Sequence, residues 1–338
     1  MTPLRRSTIV DVAREAQVSI KTVSRVFNDA ENVRPQTRER VMTAASQLKY
    51  HPNVVARGLV GGRSYLLGLL YENPSPNYVF DLQGGALDRL RGERYRLVVL
   101  PVGSIASVAD DILGLVRSAA LDGVILTPPA CDNSIILRDL SEAGLPVARI
   151  GATVDWEDSP NNFIDDFEGA RLAVEHLLEL NHRKIATIKG DPTHPATVAR
   201  TAGYESALQE AGIAIDSRLV KQGKFNFESG FAATLELLKQ GDSPTAIFAQ
   251  NDDMAAGAIA AAHDQRISVP AELSIIGYDD SAVAKVVYPR LTTIHQPVWA
   301  MARAAADMLI SKLEGRPYEM EIKHSFRLEL RDSTAPRE

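Results

Sequence analysis

The sequence predicts an α/β protein in two parts, an all-helical head and a larger body built on parallel sheets. Three observations carry that expectation. Residues 1–64 contain three short stretches with apolar residues at helical spacing, joined by tight turns. From residue 65 onward, continuous apolar strands alternate with amphipathic helices, the pattern of parallel sheets covered on both faces. Charge is divided along the same line. Residues 1–64 hold eleven Lys/Arg against five Asp/Glu, a net +6, although the whole chain is at −6. A basic head on an acidic body suggests that only the head approaches a polyanion.

Composition removes several classes. A length of 338 residues suits two or three domains of roughly 100–200 residues each. Hydrophobic residues at 45% and charged ones at 24% exclude a disordered or fibrous chain. The single cysteine, Cys131, excludes a disulfide framework and a cysteine-based zinc cluster, and it fits a reducing compartment. The opening MTPLRRSTIVDVARE has no uninterrupted apolar run and no small-residue cleavage site. No stretch approaches the roughly 20 apolar residues of a membrane span. The expectation is a soluble cytoplasmic protein with no membrane partner.

In the head, Thr8-Ile9-Val10-Asp11 fits a capping box, and Ile9, Val12, Ala13 and Ala16 make a short apolar stripe. The helix breaks near Gln17, and Ser19 can cap a second helix from Ile20 to about Phe27 with Val23, Val26 and Phe27 inward. Pro35 suits the first position of a third helix reaching about Leu48. Two short helices across a tight turn, closed by a third, describe a helix-turn-helix unit. The outward residues of the second helix cluster at its N-terminus, the end that enters a major groove in such units. Arg25 can make a bidentate contact to guanine, Lys21 can donate to guanine or adenine acceptors, and Ile20 can pack on a thymine methyl. Ser19, Thr22 and Asn28 are short polar donors suited to phosphate oxygens.

The ordered run DVAREAQVSIKTVSRVFN, TRERV and LKYHPNVVARGL resembles the LacI/GalR family of bacterial transcription regulators. The resemblance implies that Pro52–Leu59 is a hinge helix, with Asn53, Ala56, Arg57 and Leu59 at the minor groove and Leu59 as a wedge in the central base step. Seven or eight residues cannot sustain a helix alone in water, and Gly58 weakens this one further, so it should form only when two copies meet on DNA. Two positions depart from the family pattern. Gln17 stands where relatives usually have glycine at a left-handed helix C-cap, and Arg34 replaces the usual short polar cap.

In the body, strands are expected at 66–71, 96–102, 123–127, 147–151, 184–190, 245–250, 273–278 and 291–296. Helices are expected at 78–91, 167–180, 198–211, 227–239, 252–262 and 298–313. In such folds ligands bind beyond the carboxyl ends of the strands, which here carry Tyr71-Glu72-Asn73, Gln250-Asn251-Asp252 and Tyr278-Asp279-Asp280.

The stretches DDFEGARLAVEHLLELNHRKIATI, RTAGYESAL, PTAIFAQNDDMAAGA, LSIIGYDD and PRLTTIHQP resemble the periplasmic-binding-protein type 1 fold that LacI/GalR proteins carry as a sensor. That resemblance implies a two-lobed body. The expected division is residues 1–50 for the helix-turn-helix, 51–64 for the hinge, 65–164 plus 296–323 for one lobe and 165–295 plus 324–332 for the other. It also implies a ligand pocket. Arg200 matches an arginine that grips a ligand oxygen in many relatives, Asn251 and Asp279 match groups that bind sugar hydroxyls, and Tyr78 and Phe225 fall where relatives place ring-contacting aromatics. Gln296, at a crossover between lobes, is a further candidate for the cleft. Gly151 stands where some sugar-binding members have an acidic residue.

The function expected is a sequence-specific repressor, acting as a homodimer on a pseudo-palindromic operator in double-stranded DNA. A small effector would control it, with a sugar inducer of a carbohydrate-utilisation operon preferred. The alternatives are a co-repressor such as a purine and, from another class, a solute-binding protein, which would leave the basic head unexplained. An enzyme is not expected: the chain has no G-x-x-x-x-G-K-[ST], H-E-x-x-H or G-x-S-x-G motif, and its histidines lack metal-ligand spacing. No cofactor and no metal site are expected. Only eight residues follow Leu330, without leucine heptads, so no tetramerising coiled coil is expected either.

Overall fold

In the computed structural model, which describes residues 7–27, 33–50, 63–72, 75–239 and 243–337, the head opens on a reciprocal cap. The Asp11 carboxylate accepts from the Thr8 amide at 2.9 Å, while the Thr8 hydroxyl accepts from the Asp11 amide at 3.4 Å, starting α1 (Ile9–Glu15). Ser19 starts α2 (Ile20–Phe27) by accepting from the Thr22 amide at 3.1 Å. Helix α3 (Pro35–Gln47) begins at Arg34 with no side-chain cap, Pro35 filling its first turn. Val12, Val23 and Val41, one from each helix, are fully buried in a common core. Asn28, the expected hinge helix and its residues Asn53, Ala56, Arg57 and Leu59 lie outside the described residues.

Gln17 takes the left-handed conformation expected of the turn, with φ of +53°. A neighbour that sequence reading did not connect to it supports this turn. Arg40 of α3 donates through Nη2 to the carbonyls of Ala16 at 2.7 Å and Gln17 at 3.3 Å. Arg38 does the same for α2, donating to the Val26 carbonyl at 3.2 Å. A cation on the last carbonyls of a helix satisfies orphan acceptors and opposes the C-terminal dipole. Among the described residues, Arg38 and Arg40 therefore help to hold the head together.

The body contains two six-stranded sheets. The first takes β1 (Leu66–Tyr71), β2 (Arg96–Pro101), β3 (Gly123–Leu126), β4 (Val147–Ile150), β5 (Asn161–Phe163) and, from the far end of the chain, β11 (Glu321–Lys323). The second takes β6 (Ile185–Lys189), β7 (Val220–Gln222), β8 (Ala246–Ala249), β9 (Ser274–Asp279), β10 (Thr292–His295) and β12 (Arg327–Glu329). Their orders are β11-β5-β4-β3-β1-β2 and β12-β10-β9-β8-β6-β7. Central strands β3, β4, β8 and β9 are buried along their whole length, which explains their unbroken apolar runs. Not every neighbour is parallel: β12 runs antiparallel to β10, with Ile294 opposite Leu328. The chain leaves the first sheet after Phe163, returns to it after His295 and crosses back between Lys323 and Arg327.

Helices cover the sheets in tight pairs. Pro76–Leu90 packs on Val298–Glu314, Asp166–Glu179 on Pro195–Glu210, and Phe227–Leu238 on Asp252–Asp264. The first pair approaches so closely that a Cβ on Gly85 would collide with the Trp299 carbonyl oxygen. A helix seam this tight admits only glycine there.

Candidate functional site

Helix α2 has one buried and one open side. Val23 and Val26 are buried, whereas Ser19, Ile20, Lys21 and Arg25 are exposed and Thr22 is half-buried. The Ser19 and Thr22 hydroxyls pair with each other at 2.8 Å, fixing both at the helix start. Ile20 is 49% exposed, a large apolar side chain beside two cations. An apolar residue flanked by Lys21 and Arg25 on the open side of a short helix can meet a thymine methyl while the cations meet base acceptors.

In the body, the carboxyl ends of β1, β6, β8 and β9 converge on a cavity between the lobes. Tyr78, Arg200, Phe225, Asn251, Asp279 and Gln296, singled out from the sequence, all line it. The first lobe contributes Ser75, Tyr78, Pro128 and Gly151, the second contributes Asp166, His194, Ala196, Arg200, Phe225, Asn251 and Asp279, and Gln296 stands at the crossover between them. Gly151 has a positive φ of +67° and presents no acidic group at this wall.

Arg200 is the centre of the polar lining and is buried. Its Nε donates to Asp166 Oδ1 at 2.8 Å, Nη1 donates to the Gln250 carbonyl, and Nη2 donates to Gln296 Oε1 at 3.2 Å. The guanidinium lies 3.6 Å over the Tyr278 ring, and Asp279 Oδ1 stands 3.8 Å from Nη1. Burial opposes the charge, but Asp166, Tyr278 and Asp279 outweigh it and hold the Arg200 pKa above its ordinary value. Asp279 is buried at the end of β9 with φ of +110°, and burial pushes its carboxyl well above the usual range despite Arg200. Burial, and then the facing Asp279, also raise the Tyr78 phenol.

Asn251 is committed more to structure than expected. Its Oδ1 accepts from the Met254 amide at 3.0 Å, capping Asp252–Asp264, and its Nδ2 donates to the Phe225 carbonyl at 3.0 Å. One amide hydrogen is left to face the cavity. Phe225, at φ +58°, belongs to the hydrophobic core of the second lobe and to the cavity wall at once. Its ring fills the place that a side chain on Gly190 would take.

Sequence reading missed Asp166, Ser75 and His194. Asp166 had a signal, an acid at the start of a helix just after a crossover between the sheets. Ser75 accepts from the Tyr78 amide at 3.3 Å and so sets the helix that carries Tyr78. His194 precedes Pro195 at a helix start, packs edge-on to Phe225 at 5.3 Å, and pairs through Nε2 with the Glu72 carbonyl of the other lobe at 3.2 Å. Burial lowers its pKa, which favours the neutral imidazole. Asn77 of the first lobe also donates to Asp253 of the second at 3.1 Å. The lobes are thus closed over the cavity. Among the described residues no helix is long and apolar enough to cross a membrane.

Comparison with known proteins follows both parts of the chain. Residues 8–53 match the model for bacterial regulatory proteins of the lacI family, and residues 174–334 match a periplasmic binding protein-like domain. Catabolite control protein A of Priestia megaterium is 31% identical over 329 residues, spanning 97% of this chain and 99% of that protein. Among solved structures, the transcriptional regulator CelR in complex with cellobiose is 31% identical, with a TM-score of 0.73 over 97% of this chain and all of that one. The lac repressor dimer bound to operator and the anti-inducer ONPF is 28% identical, with a TM-score of 0.83 over 98% of this chain and all of that one.

Proposed function

The chain belongs to the LacI family of bacterial regulatory proteins, and from that premise we propose how its own residues carry the work of a DNA-binding repressor under small-molecule control. Regulators of this family bind operator DNA as dimers, so two copies of α2 would face two half-sites related by a two-fold axis. Ile20, Lys21 and Arg25 are assigned to base edges, and Ser19, Thr22 and Asn28 to phosphates. Asn53, Ala56, Arg57 and Leu59 are assigned to the minor groove between the half-sites. The division of the chain into head, hinge and two lobes expected from the sequence is part of the same proposal.

The dimer contact is assigned to exposed apolar residues of the body. Phe80 and Leu87 lie seven residues apart on one helical face, and Val286 and Tyr288 stand out beside the second sheet, Tyr288 being 90% exposed. These residues offer apolar surface that a second copy would cover.

The effector site is assigned to the cavity between the lobes, with Tyr78, Arg200, Phe225, Asn251, Asp279 and Gln296 contacting the ligand. The convergence of these six on one cavity carries this reading. Two ring faces with hydroxyl, carboxyl and amide groups at their rim suit a sugar, which offers an apolar C–H face and a girdle of hydroxyls. The preferred role is release of the operator of a carbohydrate-utilisation operon when the sugar binds. Ligand and DNA act on each other only through their differential affinities for two arrangements of the lobes. The test is fluorescence anisotropy of the full chain on a selected operator, titrated with mono- and disaccharides. One sugar should weaken binding at least tenfold, and Asp279→Asn should abolish that response while operator binding persists. A sugar response that survives both Asp279→Asn and Tyr78→Ala would remove the cavity from the mechanism.

A further inference from the structure

We propose that the cavity selects an electrically neutral ligand bearing hydroxyl or N–H donors and rejects phosphorylated and carboxylated ones. The inference rests on the effector reading above and narrows it by charge.

Arg200 is the one cation among the described residues that line the cavity, and it is already paired. Asp166 holds Nε at 2.8 Å, Gln250 and Gln296 take one N–H from each terminal nitrogen, and Tyr278 covers one face of the guanidinium. Asp279 adds a second carboxyl at 3.8 Å. The Asp166 carboxyl paired with Nε thus offsets the Arg200 charge before any ligand arrives, and Asp279 adds no cation to the lining. His194 brings no charge when neutral, since burial favours its uncharged form. Helices Pro76–Leu90, Asp166–Glu179, Pro195–Glu210 and Asp252–Asp264 all start at the cavity, and a helix start can attract anions. Here Asp166, Asp252 and Asp253 put acids in the first turns of two, while Pro76 and Pro195 remove an amide from the others and Ser75 takes the Tyr78 amide.

An anion entering this site would shed water and find no unpaired cation, while meeting the Asp166 and Asp279 oxygens. A neutral polyol or heterocycle meets no such opposition. Asp279, pushed by burial toward its neutral acid, can accept from or donate to a hydroxyl, and Tyr78 and Phe225 offer ring faces.

The experiment is isothermal titration of the full chain at matched ionic strength with paired probes: D-glucose with D-glucuronate and glucose 6-phosphate, D-galactose with D-galacturonate, and D-ribose with ribose 5-phosphate. Inorganic phosphate is titrated alone. In any pair that binds, the anionic member should be weaker by about 100-fold or more. An anionic member that binds as tightly as its neutral parent would overturn the proposal. Asp166→Asn releases the Arg200 charge and should acquire binding of inorganic phosphate and D-glucuronate at least tenfold tighter than the wild type. A folded Asp166→Asn protein that gains neither would also overturn it. The two readings fail separately. Neutral sugars that bind the wild type while none of them changes operator affinity would sink the effector role and leave the charge selection standing.

Discussion

Single side chains decide how the head reads and how the body tolerates pH. Arg25 is exposed on α2 and a bidentate arginine–guanine contact contributes about 1–3 kcal/mol of discrimination. Arg25→Ala should therefore weaken operator binding by roughly 10- to 100-fold and leave random-sequence binding nearly unchanged, measured by anisotropy on both duplexes at one salt concentration. Equal loss on the two would assign Arg25 to phosphate. Gln17 holds φ of +53°, a conformation that costs a non-glycine residue about 1–2 kcal/mol. Gln17→Gly should raise head stability by up to about 1 kcal/mol in a denaturant melt, the extra freedom of unfolded glycine offsetting the rest. In the body, burial pushes the Asp252 carboxyl up to about 7, although it accepts from Thr293 at 2.6 Å and from the Ser281 amide at 2.7 Å. A carboxyl raised above its unfolded value of about 4 stabilises the fold fully at acid pH and loses that contribution as pH rises. Between pH 4 and 7 the wild type should lose stability relative to Asp252→Asn, and parallel pH profiles would contradict this. At this scale much was readable. The Thr8–Asp11 cap and the Ser19 cap follow from local chemistry, and the strain at Gln17 from the glycine that the family usually has there. Arg40 and Asp166 did not, because each finds its partner across 23 to 34 residues of chain.

Elements were legible in proportion to their length and burial. Strands of four to six residues buried in the middle of a sheet show as unbroken apolar runs, and helices of 12–17 residues show their period. Strands β5, β7, β11 and β12 have three residues each at sheet edges or beside them, with polar residues such as Asn161, Lys221, Glu321 and Arg327, and nothing in so short a run distinguishes it from a loop. The antiparallel setting of β12 was hidden for the same reason. Helix seams add a demand that sequence states only as a glycine. Gly85→Ala would drive a methyl into the Trp299 carbonyl and should cost about 1–3 kcal/mol, seen as a lower Tm of the body. Gly103→Ala has open space around it and should stay within about 0.5 kcal/mol of wild type. Similar losses at both would show that the seam between Pro76–Leu90 and Val298–Glu314 is looser than its geometry.

For the whole molecule, a basic head on an acidic body confines attraction for DNA to the head, even though Arg38 and Arg40 are partly spent on carbonyls within it. The acidic body also agrees with a cavity that holds no spare positive charge. Family membership was legible from ordered motifs spanning the chain, whereas the lining of the cavity was legible only in part. Tyr78 and Asp279 stand near element ends and Arg200 in the second turn of its helix, where the family pattern implied a ligand contact; Asp166 and His194 stand at helix starts too, but no motif marked them as part of the cavity. The claim on which all else depends is that the exposed side of α2 reads a two-fold site in DNA and that the cavity controls it. Selection from randomised duplexes by the full chain at about 0.15 M salt, with and without a pool of neutral sugars and purines, tests it most directly. Enrichment of an inverted repeat that the pool strengthens or weakens is the predicted result; recovery of no repeat under either condition would contradict it.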